Sequence, residues 1–122
     1  MAGVRERARD AQRKSDIGQI QKAMEMYKNA QTVPAYPDDG IAALRTALEG
    51  TYMQIVPHDP NYANNNDWDY IFIKPDPAYP TDTLTYKLVA CLENASDQQK
   101  DAVKDALCDE TNQNASFTRY NP

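Results

Sequence analysis

The sequence predicts an α+β domain: a long N-terminal helix packed on a small antiparallel β-sheet, with a short helix in the connecting loop and a C-terminal helix bounded by two cysteines. Three observations carry this. Apolar residues recur at helical spacing through the first thirty positions, strict alternation marks residues 83–92, and loop-forming Pro, Asn and Asp separate the two regions. A chain of 122 residues suits one domain with a modest core. Residues 1–30 form a helical stem continuous with a globular head, 31–122.

In the stem, Ile17, Ile20, Met24 and Tyr27 follow spacings of three, four and three, and Ala23 and Ala30 widen the stripe. Val4, Ala8 and Ala11 continue it weakly among charged residues. A helix from residue 4 to 30 is about 40 Å long. That exceeds what so small a body covers, so the C-terminal half is expected to pack and the N-terminal half to project. The stretch NAQTVPAYP breaks the helix. DDGIAALRTALEG then predicts a short second one, with Asp38 and Asp39 at its start, a stripe of Ile41, Leu44 and Leu48, and Gly50 just past its end.

Residues 57–69 read as loop. YIFIK, 70–74, is a strand stopped by Pro75, and TLTYKLVACL, 83–92, places Leu84, Tyr86, Leu88, Ala90 and Leu92 on one face. SDQQKDAVKDALC opens with Ser96 and Gln99 at capping-box spacing and aligns Ala102, Val103, Ala106 and Leu107, which predicts the C-terminal helix. SFTRYNP is read as a short edge strand. The stem is expected to dock through Leu84, Tyr86 and Leu88, with 57–69 and 91–108 facing outward.

Composition excludes several function classes. Net charge is −5, split between a basic stem and an acidic body: residues 1–14 carry five basic against two acidic side chains, so −8 falls on the rest. A body of that sign repels phosphate, and no nucleic-acid partner is expected. No apolar run is long enough to span a bilayer. His58, in PHDP, is the one histidine; without a second histidine or a ligand set, zinc and triad chemistry have no foundation, and no catalytic or cofactor-binding group is expected. Asn65, Asp67 and Asp69 alternate as calcium ligands do, with Asp59 and Asp76 nearby, but the sharp-turn glycine and the bidentate Glu are missing. They are weak calcium candidates, read more simply as loop-turn residues. Cys91 ends a strand and Cys108 the helix after it. If that helix folds back along the strand the two can pair, as expected of an exported domain; in a reducing compartment they remain thiols.

Residues 8–37, ARDAQRKSDIGQIQKAMEMYKNAQTVPAYP, resemble the C-terminal half of the first helix of type IV pilins and type II secretion pseudopilins. The landmarks are Tyr27, the break after it and Tyr36-Pro37. IVPHDPN, 55–61, is similar to the family's proline-rich segment after the short helix. YKLVACLENASD and the closing YNP look like the strand and C-terminal end of members with a cysteine-bounded C-terminal region. The family's cleavage site and apolar N-terminal half-helix do not precede this stretch, so the resemblance implies a soluble, N-terminally truncated subunit. It further implies a cell-surface filament, pilus or secretion pseudopilus, built by self-assembly through the stem face Ile17, Ile20, Met24 and Tyr27. Other pilins, the assembly machinery and, through the missing anchor, the inner membrane become partners. A minor adhesin or uptake subunit at a filament tip is the alternative. The family's calcium loop is absent, and no family residue is catalytic. A basic stem beside an acidic head is expected to favour contact between adjacent subunits.

Overall fold

The apolar stripe of the first segment becomes α1, Val4–Ala30, in the computed structural model, which describes residues 3–121. α1 ends where the Gln31 N–H closes a last turn on the Lys28 carbonyl. The second helix, α2, Ile41–Leu48, lies between two glycines in the left-handed region, Gly40 at φ 98° and Gly50 at φ 87°. Gly50 therefore terminates the helix as a C-terminal glycine should. Asp38 and Asp39 do not cap it; Asp39 Oδ1 instead accepts the Lys74 N–H at 2.8 Å and ties the start of α2 to the sheet.

Three strands follow: β1, Ile71–Ile73, β2, Lys87–Leu92, and β3, Ala115–Tyr120, in the antiparallel order β1-β2-β3. The register sets Phe72 beside Leu88, Ala90 beside Phe117 and Leu92 beside Ala115. These six side chains form the face that meets α1. Ile17, Ile20, Ala23 and Met24 pack into the same cluster together with Leu44, Leu48, Val56 and Tyr86. At about 25 cal/mol per Å² of apolar area, this burial is the main force holding helix to sheet. The opposite face of β2, Val89 and Cys91, is covered by Trp68, Cys108 and Ile71. β2 is thus buried on both sides, which is why its LVACL run is continuously apolar.

Three expectations are corrected. Residues 96–108 form no helix. Asp97, Asp101, Asp105 and Asp109 recur every four residues, so a helix would stack four carboxylates on one face, each pair unfavourable. The aspartates and Asn94 close local turns instead: Asn94 Oδ1 accepts the Ser96 N–H, Asp97 Oδ1 that of Gln99, and Asp105 Oδ1 that of Leu107. Ala102, Val103, Ala106 and Leu107, the expected inner face, are exposed. Leu84 lies outside β2 and is exposed, because the chain before Tyr86 turns through Asp82–Thr85 hydrogen bonds. Docking onto α1 falls to Tyr86, Leu88 and their neighbours.

Nor does the N-terminal half of α1 project. From Arg9 onward the helix is tied to the head, and before it Val4, Arg5, Arg7 and Ala8 are exposed. The inward stripe continues upstream of Ile17 through Asp16, Arg13 and Asp10, all buried. Val4, Ala8 and Ala11 point outward. Charge pairing holds this half, not apolar contact.

Candidate functional site

Chemically demanding side chains converge where the N-terminal half of α1 meets the loop 57–69 and the end of β2. Arg13 is wholly inaccessible to solvent. Its guanidinium donates Nε to Asp59 Oδ2 at 2.8 Å and Nη2 to Asp59 Oδ1 at 3.0 Å, a two-point fork. Nη1 donates to Asp10 at 2.7 Å and to Glu93 at 2.8 Å. The face of Trp68 lies 4.6 Å from the guanidinium carbon, within cation–π range. Glu93 receives a second fork from Arg9, at 2.6 and 2.8 Å.

The carboxylates are themselves oriented. Asp10 accepts the backbone N–H groups of Glu93 and Asn94, both at 2.9 Å, so one helical side chain caps the exit of β2. Asp59 Oδ1 also accepts the Asn61 N–H. Asp16, one turn along α1, accepts the Tyr70 hydroxyl at 2.6 Å and the Gln12 amide at 2.7 Å. Lys14 pairs with Asp97 at 2.8 Å.

Electrostatics shifts Arg13, Glu93 and Tyr70 within this cluster. Burial opposes the charge on Arg13, but its bonds to Asp59, Glu93 and Asp10 outweigh that and push its pKa upward. Glu93 is likewise opposed by burial, yet Arg9 and Arg13 pull it below the ordinary glutamate range. Burial, then the bond to Asp16, pushes Tyr70 well up. An acid–base catalyst needs a group poised near the working pH; the groups shifted here move away from neutrality. The arrangement fastens the stem to the head.

The assigned stem residues divide. Ile17, Ile20 and Met24 are buried in the main core, whereas Tyr27 is half-buried, edge-on to Tyr52 with ring centroids 5.5 Å apart. Cys91 and Cys108 form a disulfide; it pins a loop to the outer face of β2, not a helix along it. The calcium candidates do not converge. Asn65 Oδ1 accepts the Asp67 N–H, Asp69 faces Arg45 at 3.3 Å, and Asp59 is committed to Arg13. Among the described residues, no group of three His, Cys, Asp or Glu side chains is placed to hold a metal ion. His58 stacks on Tyr62 with ring centroids 3.8 Å apart and lies 2.8 Å from Arg45 Nη2.

Asp10, Arg13, Asp16, Trp68, Tyr70 and Glu93 were not singled out from the sequence. The available signal was positional: Asp10, Arg13 and Asp16 share the face of Ile17 and Ile20 at spacings of three and four. No protein-family model, no curated protein and no solved structure matches this chain.

Proposed function

We propose that the chain is a pilin-like structural subunit of a cell-surface filament, a type IV pilus or a secretion pseudopilus, whose activity is assembly and not catalysis. The observation that supports this is the long N-terminal α1, its apolar stripe laid across an antiparallel sheet. Such a helix, preceded by an apolar anchor, stacks in an open head-to-tail assembly of identical copies. The resemblance of residues 8–37 to the pilin stem supports the same reading. The basic stem contributes less to contact between copies than its charge suggests. Arg9, Arg13 and Lys14 are neutralised within the subunit, which leaves Arg5 and Arg7 without an acidic partner among the described residues.

The test is location and form in the native cell. Antibody raised against the purified domain should label filaments along their length in immunogold micrographs and detect the chain in the sheared surface fraction. Recovery only in the cytosolic fraction, with two reactive thiols, would overturn the reading. A tip adhesin is the second reading, favoured by the outward Val103 and Leu107, 82% and 50% exposed on the disulfide-held loop. It predicts label confined to filament ends.

A further inference from the structure

The sequence holds two Asn-x-Ser triplets, Asn94-Ala95-Ser96 and Asn114-Ala115-Ser116. Each matches the acceptor pattern for attachment of a sugar to an asparagine amide, which needs a surface position in an exported chain. Three residues alone are a weak signal. The fold separates the two, because it leaves one open and closes the other.

Asn94 follows β2 in the turn whose backbone N–H groups Asp10 accepts. Its Oδ1 accepts the Ser96 N–H at 3.0 Å. That bond occupies the oxygen; Nδ2 donates to nothing among the described residues and is not buried. Ala95 and Ser96 are exposed, and the Ser96 hydroxyl is also without a partner among the described residues. Asn94 lines an open, polar cavity of about 470 Å³ together with Glu6, Asn112 and Asn114. Asn114 is the reverse case. Its Nδ2 donates to the Glu93 carbonyl at 2.9 Å. Ala115 and Ser116 already belong to β3, paired with Leu92 and Cys91. Ser116 has no solvent exposure, and its hydroxyl donates to Asp101 at 2.6 Å and accepts the Asp105 N–H at 2.9 Å. A transferase must reach the amide nitrogen and hold the hydroxyl two residues on; at Asn114 both are spent.

We propose that Asn94 is a site of N-linked glycosylation and that Asn114 is not. The donor class is an oligosaccharide joined through its anomeric carbon to a polyprenyl diphosphate. In the transfer, Asn94 Nδ2 bonds to the anomeric carbon as that carbon's bond to the diphosphate oxygen breaks. The diphosphate leaves with the electron pair, and one Nδ2 proton passes to a base of the transferase. Glu6, Asn112 and Asn114 present acceptors and donors for hydroxyls of the first sugar. The Cys91–Cys108 disulfide fits the same oxidising compartment. The inference requires export, not filament assembly.

Trypsin separates the triplets into residues 88–100 and 105–119, so mass spectrometry of the chain purified from its native cells reads each site alone. Expected is a glycan mass increment on most copies of 88–100, placed on Asn94 by electron-transfer fragmentation, with 105–119 at its unmodified mass. Asn94→Gln and Ser96→Ala, both in a surface turn, should each abolish the increment while near-ultraviolet circular dichroism is unchanged. Asn114→Gln should leave the increment in place. Two unmodified peptides, an increment on Asn114, or one on a serine or threonine that survives Asn94→Gln would overturn the proposal. A glycan on Asn94 of a chain that never enters filaments would keep this inference and remove the filament reading.

Discussion

Arg13 on α1 and Asp59 in the loop before β1 form a two-point ion pair, 46 residues apart in sequence, with both side chains essentially out of solvent. Removing one partner of a buried pair strands the other's charge and costs about 3–5 kcal/mol. Arg13→Met, which strands Asp59, Asp10 and part of Glu93, should therefore lower unfolding free energy by that amount in urea titrations followed by Trp68 fluorescence. Arg13→Lys keeps the charge but loses the fork, and should fall between the wild type and Arg13→Met. The double variant Arg13→Met/Asp59→Leu should recover a good part of the loss. A cost under about 1 kcal/mol for Arg13→Met would place the stem's attachment in the apolar core alone.

Acid should loosen the same attachment. Glu93 is held below the ordinary glutamate value of 4.5 by Arg9 and Arg13 against the opposing effect of burial. Asp97, beside Lys14, and Asp105, beside Lys87, are held below the ordinary aspartate value of 3.8 against the same effect. Because the folded-state values are depressed, the unfolded chain binds more protons in that range. The stabilisation is complete above the ordinary values and is lost as pH falls through the depressed ones. Tm should be flat from about pH 5 to neutrality and drop steadily below the ordinary carboxylate range. Glu93→Gln should start lower at neutral pH and show a shallower acid slope. An acid slope unchanged in this variant would remove Glu93 from the account.

How far this was legible depends on what each residue's neighbours do. Ile17, Ile20 and Met24, the glycine after α2, and the Leu88–Ala90–Leu92 alternation are local patterns with one stable solution, and they appear as read. Asp10, Arg13 and Asp16 sit on the same helical face, but a charged residue is read as solvated unless its partner is known, and Asp59 and Glu93 are 46 and 80 residues from Arg13. The third helix failed for a reason the sequence does contain. Ala102, Val103, Ala106 and Leu107 gave the right periodicity, while Asp97, Asp101 and Asp105 at four-residue steps argued against it and supplied the turn chemistry that won.

Alkali should act through three tyrosines. Burial raises Tyr86 from the ordinary 10.0 to about 12, with the Gln21 amide opposing it and Glu25 assisting. Burial also lifts Tyr36, which donates to Glu25, and Tyr70, which donates to Asp16. Folded-state values raised above the unfolded ones give stability that is complete below about pH 10 and lost as pH rises beyond it. These phenols should ionise in one cooperative step of tyrosinate absorbance that coincides with loss of near-ultraviolet circular dichroism. Tyr86→Phe should remove one tyrosine's amplitude from that step, and a smooth non-cooperative rise would show that the three are accessible in the folded chain.

The disulfide should order the outer face of the sheet while the stem stays docked without it. Cys91 and Cys108 close a loop of 17 residues in sequence separation, worth about 3 kcal/mol in the loop-entropy account. Replacing both by serine should lower unfolding free energy by about that amount. The loss is expected to be local first. Other ties of 96–110 to the strands persist, including Asp101 to Ser116 and Thr118, Lys87 to Asp105, and the Lys104 ammonium to the Gln113 carbonyl. The α1–sheet core contains neither cysteine. Amide exchange should therefore accelerate across 97–113 in the double-serine variant while α1 and β2 keep their protection up to global unfolding. Exchange rising equally in α1 would show that the loop and the stem form a single cooperative unit.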